Sequence, residues 1–329
     1  MRKFLLVFSI YFSGGFYLTA QVRWQNVDSL FQPLPPSVHV YRTTDLLDGK
    51  PNIAYYVEAD LKDKQLVFDT DTTLGRRLKP SQYYERNDKA LLVVNTTFFS
   101  FATNQNLNVV IKDKKLVGYN IHTIPGRGKD TFTYRHPFGS AIGISKKREA
   151  DIAWLYTDSM RKRPLAMQFP AMPVKDSNRL FPLASATFNT DISTGHESAI
   201  ISSLNNWKMM TAVGGGPVLV QNGEVKITNN EELKFAGKAI ADKHPRTGMG
   251  YTKDYKLIIL VIEGRNPGVA EGASLTQEAQ LFRDIGCWEA LNLDGGGSTC
   301  MLVNGKETIK PSDASGQRPV PAVFLIRKR

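Results

Sequence analysis

Residues 292–300 read NLDGGGSTC: three successive glycines after an aspartate, set between the apolar runs WEALNLD (288–294) and TCMLVNG (299–305). Glycine beside a strand costs backbone entropy and gives up side-chain packing, so such a run needs a cause. Asp-Gly is a common turn pair, and a tight hairpin joining the two apolar runs is one cause. Close approach of the backbone to a ligand is another.

Around this stretch, short β-like runs rich in branched and aromatic residues dominate. They include SVHVYR (37–42), NIAYYVEADL (52–61), KQLVFDT (64–70), KALLVVN (89–95), YKLIILVIEG (255–264) and VPAVFLIRK (320–328). LNVVIKDKKLVGYN (107–120) and SAIGISKKREADIAWLY (140–156) alternate about polar turns and read as hairpins. Asn222-Gly223 and the second VNG turn at 303–305 are hairpin signals as well. Helical patterns are few: SQYYERND (81–88), NNEELKFAGKAIA (229–241) and SLTQEAQLFRDIG (274–286). Residues 157–184 hold four prolines and a basic cluster, and read as a long irregular segment or a boundary between lobes. Many strands and few helices predict an α+β fold: a sheet-rich, mixed or antiparallel single domain with a few packed helices.

The N-terminus, MRKFLLVFSIYFSGGFYLTAQ, has a charged start, an apolar centre and Leu18-Thr19-Ala20 as a cleavage site. It reads as a secretory signal over residues 1–20, with an uncleaved anchor as the alternative. A proline-rich leader over 21–37 then enters a domain over 38–329. The reading is of an exported, periplasmic or extracellular protein with no stable membrane anchor after cleavage. The 329-residue chain carries a formal charge of +11. A basic exported protein suits polyanionic, phosphate-bearing partners. The export signal and the lack of any recognition motif argue against nucleic acid. Export permits a disulfide between Cys287 and Cys300, the only cysteines, although strand register can equally hold them apart.

Four other stretches gather chemistry-bearing residues. In VVNTTFFS (93–100), Asn95 ends a buried run, placed to bond a sugar hydroxyl or merely to satisfy a turn. In VGGGPVLVQNG (213–223), Gly214, Gly215 and Gly216 offer amides to an anion, or form a bulge. In HPRTGMG (244–250), Arg246 and Thr247 follow a stiffening proline, and an arginine fork suits phosphate. In VIEGRNPG (261–268), Glu263 and Arg265 emerge from a buried run, as Asp294 does from its own. No Walker loop, nucleophile elbow or zinc motif is present; a divalent cation near Asp294 would have no signature of its own.

In order and spacing, VNTTFF, VGGGPVLVQNG, HPRTGMGYTKDYKLIILVIEGR and ALNLDGGGSTCMLVNG resemble the phosphodiester glycosidase domain. The resemblance runs from about Asn95 to the C-terminus and is most specific over His244–Gly305. It implies hydrolysis of the glycosidic C–O bond of a sugar-1-phosphodiester, N-acetylglucosamine-1-phosphate in type, with no cofactor. A non-catalytic glycan-binding module and a phosphodiesterase cutting P–O are the alternatives. Carried over by position, the matching residues are Asn95, Gly214, Gly215, Gly216, Pro217, Arg246, Thr247, Gly264, Arg265, Asn292, Asp294, Gly295, Gly296, Gly297 and Ser298. Arg246 and Arg265 suit the phosphate, assisted by the glycine amides. Asp294 and Glu263 are the carboxylates for the anomeric carbon or its attacking water. The chain departs from the family at Glu263, where aspartate is usual, and at Thr96-Thr97, where glycines are. It departs again at Gln277, where an acid is usual; Glu278 stands one step on.

Overall fold

Strand Lys256–Ile262 is apolar at every position from Leu257 onward, so it must be covered on both faces. A computed structural model describes residues 21–177 and 204–329; the expected signal sequence and residues 178–184 of the irregular segment lie outside them. Leu257, Ile259 and Val261 point into a core shared with residues from two further sheets. Ile258, Leu260 and Ile262 point the other way, under the helix Leu275–Ile285. This strand lies inside an eight-stranded sheet ordered Gln25–Asn26, Val38–Thr43, Ala54–Asp60, Lys256–Ile262, Arg246–Tyr251, Glu289–Asn292, Val218–Gln221, Glu224–Val225.

A five-stranded sheet orders Lys306–Glu307, Met301–Val303, Leu92–Asn95, Ala322–Lys328 and Leu66–Thr72. A seven-stranded sheet carries the two expected hairpins, Val110–Lys112 with Lys115–Gly118 and Gly139–Ser145 with Ala150–Tyr156. A small three-stranded sheet completes the set. Every pairing among the described residues is antiparallel. With few helices laid against these sheets, the fold is α+β. The leader packs into it: Gln25 and Asn26 pair with Arg42 and Tyr41, and Phe31 is buried in the main core.

The long helix starts where its sequence says it should. Ser274 accepts from the Gln277 amide while Gln277 Oε1 accepts from Ser274 N at 2.9 Å, a closed capping box. It stops at Gly286, whose φ of 98° is the left-handed cap that glycine adopts without penalty. The segment 229–241 differs from its helical pattern. Only Asn229–Glu232 is α-helical, Leu233 turns left-handed at φ 52°, and a 3-10 turn follows at Gly237–Ile240.

The glycine run is not a hairpin. Glu289–Asn292 belongs to the eight-stranded sheet and Met301–Val303 to the five-stranded sheet, so Asp294–Gly297 carries the chain from one to the other. The same crossing separates the cysteines. Cys287 is buried among residues under the long helix, Cys300 on the far face of the five-stranded sheet, and both are free.

Candidate active site

The crossing brings the separate motifs together through the backbone. Leu293 N donates to Thr247 O at 2.7 Å, Gly296 N to Pro245 O at 2.8 Å, and Asp294 N to Thr96 O at 2.8 Å. Asn292 N donates to Pro217 O, and Asn292 Nδ2 to Gly216 O at 2.9 Å. Asn95 is the knot: its Nδ2 donates to Asp294 O at 2.6 Å, and its Oδ1 accepts from Thr247 Oγ1 at 2.9 Å and Cys300 N at 3.1 Å. A fully buried amide that holds three segments is a frame for the site.

Close approach explains the glycines. A Cβ on Gly295 would stand 2.6 Å from Pro245 O, and one on Gly296 would stand 2.9 Å from Arg265 Nη2. A Cβ on Gly297 would overlap the Arg318 guanidinium and the Asp313 carboxylate. The run is bare so that two arginines can lie against it. The amides of Gly214, Gly215 and Gly216 donate to Val109 O, Ser140 O and Asn292 O, so neighbouring segments of the chain, and not an anion, take these donors.

Asp294 lies two residues past the end of strand Glu289–Asn292. Burial pushes its carboxyl up to about 7, against the opposing pull of the Ser298 hydroxyl and the Arg318 charge. Arg246 is buried on the strand next door, its Nε donating to Ala273 O at 2.8 Å and its Nη2 to Asp242 O at 2.9 Å. Burial and the neighbouring Arg265 both lower its pKa, against the pull of Glu278 and Asp242. Arg265 is exposed, with φ 60°, and its guanidinium reaches back over Gly296. Two guanidiniums share this corner with His244, whose pKa is lowered by burial and then by both of them. The corner is electropositive and faces the Asp294 loop.

Glu263 is buried, its Oε1 accepting from Asn266 Nδ2 at 3.3 Å and its Oε2 from Lys310 N at 3.1 Å, so both oxygens are engaged by the chain itself. Gln277 closes the capping box and donates to Asp48 Oδ2 at 2.5 Å, which accounts for an amide at that position. Among the described residues no group of three or more His, Cys, Asp or Glu gathers to hold a metal.

One residue escapes the motif reading: Arg318, from a loop with no local signature, lies against Gly297 and its charge acts on Asp294. Glu278, the acid one step past Gln277, is fully buried on the inner face of the long helix, its Oε1 2.6 Å from where a Gly248 Cβ would stand, and neither oxygen has a hydrogen-bond partner. Oδ1 of Asn292, on the residue paired with Gly248, is equally bare. Burial raises Glu278 to about 8 despite the Arg246 charge. Unpartnered and buried, it is held as the neutral acid at pH 7.

Glu278 and Asp294 both bind protons more tightly folded than unfolded. Their contribution to stability is complete below the ordinary carboxylate range and is lost as pH rises toward 7 and 8. Melting temperature is therefore expected to fall from pH 5 to pH 8. Glu278→Gln, which cannot ionise, is expected to flatten that fall in thermal melts across the range. An unaltered slope would show that Glu278 is not its source.

Comparison with known proteins gives this geometry a family. Residues 88–327 match the family model described as phosphodiester glycosidase. The mouse N-acetylglucosamine-1-phosphodiester alpha-N-acetylglucosaminidase is 26% identical over 132 residues, 37% of this chain and 25% of the mouse protein. The catalytic domain of the zebrafish enzyme of that name, auto-inhibited by its pro-peptide, superposes with a TM-score of 0.55 at 18% identity, covering 94% of this chain and 89% of that one. A protein of Burkholderia pseudomallei superposes with a TM-score of 0.58 at 16% identity, over 85% of this chain and 74% of that one. With nearly three quarters of its length inside the family model, this chain belongs to the phosphodiester glycosidase family.

Proposed function

We propose that the protein is an exported hydrolase that cleaves the glycosidic C–O bond of a sugar-1-phosphodiester, releasing free sugar and a phosphomonoester. The observation that carries the reading is the approach of an electropositive corner, Arg246 on one strand and Arg265 just past its neighbour, to the loop that carries the near-neutral carboxyl of Asp294.

A phosphate is a good leaving group, so charge stabilisation matters more than proton donation to it. Arg265, exposed and reaching over Gly296, and Arg246 behind it would hold the phosphate oxygens. As the C–O bond breaks, its electron pair goes to the phosphate oxygen and positive charge builds on the sugar ring. Water supplies the new C–O bond and gives up a proton. Asp294, with its pKa near 7, is matched to accept that proton at neutral pH. The partner is then an anionic, phosphate-bearing glycan outside the cytoplasm. The N-terminal signal pattern supports export, and among the described residues no helix is long and apolar enough to cross a membrane.

The test is product identity. The purified protein, incubated with an N-acetylglucosamine-1-phosphodiester in ¹⁸O-water, is expected to release free sugar labelled at the anomeric oxygen and an unlabelled phosphomonoester. Label in the phosphate would mean P–O cleavage and would overturn the reading. Saturable binding without any release would leave a glycan-binding module instead.

A further inference from the structure

The loop that carries Asp294 has an outer rim that the reaction above does not use. Arg318 forms a bidentate pair with Asp313, Nε to Oδ2 at 2.7 Å and Nη2 to Oδ1 at 2.8 Å, and lies against Gly297. The same guanidinium stands 5.5 Å from the centre of the Phe101 ring. A second guanidinium, of Arg77, stands 5.2 Å from that ring and 5.4 Å from Phe99. Phe99 is buried and Phe101, 4.8 Å from it, is 63% exposed. One ring anchors the loop and the other is presented to solvent between two cations.

Arg77 is not tied down by the protein. Among the described residues no carboxylate pairs with it and no side-chain hydrogen bond engages it, so its N–H groups have no protein partner there while its guanidinium carbon lies over the two rings. Arg76 beside it is exposed and also lacks an ion pair among the described residues. An isolated exposed aromatic needs no explanation. This one is continuous with the Asp294 loop through Arg318 and carries the chemistry of a sugar-phosphate subsite. The ring face suits the C–H face of a pyranose, and the guanidinium edges suit phosphate oxygens.

We propose that Arg77, Phe101 and Arg318 form a second subsite for the neighbouring unit of a chain of glycosyl phosphodiesters. The substrate is then a polymer with repeating phosphates, and the enzyme engages at least two units at once. This rests on the function proposed above, which supplies the first unit. The free sugar phosphodiester would fill only the inner site and forgo the contact at the rim. Engaging two linked units raises the effective concentration of each at its own site.

The test compares a monomeric N-acetylglucosamine-1-phosphodiester with a synthetic four-unit oligomer of N-acetylglucosamine 1-phosphate. The readout is the ratio of kcat/KM on the oligomer to that on the monomer. The wild type is expected to prefer the oligomer, and Phe101→Ala and Arg77→Ala are each expected to reduce the preference about tenfold. No preference in the wild type, or an equal loss on both substrates, would overturn the proposal. Because it could fail together with the catalytic reading, oligomer binding is also measured by calorimetry in Asp294→Asn. There Phe101→Ala is expected to weaken binding about tenfold whether or not any substrate is turned over. Unchanged binding would sink the subsite while leaving the catalytic reading to its own assay. Phe101-dependent binding to phosphatidylglycerol vesicles without oligomer binding would overturn it in favour of a lipid surface.

Discussion

Replacing Asp294 by asparagine is expected to reduce kcat/KM by about a hundred- to ten-thousand-fold, the range for loss of a positioned general base. The fold should survive, because the ties that join this residue to other segments are made by its backbone, and asparagine can still accept through Oδ1 from the nearby Ser298 hydroxyl and Gly295 amide. The Asp294 amide donates to Thr96 and its carbonyl accepts from Asn95, and neither involves the carboxyl. Asparagine keeps the size and removes the proton-accepting group. The carboxyl's raised pKa also costs stability above neutrality, so the variant should melt no lower than wild type at pH 8. Activity and melting are to be measured on the same preparation. A folded variant within tenfold of wild-type activity would remove Asp294 from the chemistry.

Arg246→Lys is expected to lose about a hundred- to a thousand-fold in kcat/KM, as for removal of one strong donor from a developing anion. The substitution keeps the charge, so the expectation rests on geometry. Arg246 holds two carbonyls, Ala273 O and Asp242 O, through separate nitrogens of one rigid plane. A single ammonium cannot serve both and still face a phosphate in a fixed orientation. Buried carbonyls left unpaired also cost about 1–3 kcal/mol each, so a lower melting temperature is expected alongside the kinetic loss. The discriminating measurement is kcat against KM at matched stability, with temperature adjusted to equal distance below each melting point. A rise in KM alone would mean that Arg246 binds ground state and transition state equally and does not favour the developing anion.

Local signals were legible where chemistry is local. Ser274 with Gln277 and Gly286 marked both ends of the long helix. The Asn-Gly pairs at 222–223 and 304–305 set their hairpins with left-handed φ at both residues. The meeting of Asn95, Arg246, Arg265, Asn292 and Asp294 was legible only through resemblance, since their strands lie in two sheets. Glu278 was legible only as an acid one step from the expected position; that it faces Gly248 rather than solvent depends on how the helix is rotated on the sheet. Arg318 was not legible, since its partner Asp313 lies in its own irregular loop and its neighbour Gly297 comes from a separate turn. Glu263 emerges from a buried strand as Asp294 does, yet Asn266 and Lys310 occupy its oxygens. Emergence from a strand places a carboxylate without deciding what surrounds it.

The five-stranded sheet has a consequence for the order in which the molecule can form. Its Ala322–Lys328 strand lies between Leu92–Asn95 and Leu66–Thr72, pairing Val323 with Asn95 and Phe324 with Thr70, partners more than two hundred residues earlier. Until residues 322–328 have been synthesised, Asn95 sits on an unpaired strand edge and the knot around Asp294 has no support on that side. Pairings this distant in sequence make closure slow, because loop-closure entropy must be overcome before any contact rewards it. The corner around Asp294 is therefore a late-forming part of the molecule, closing only once residues 322–328 have joined the sheet.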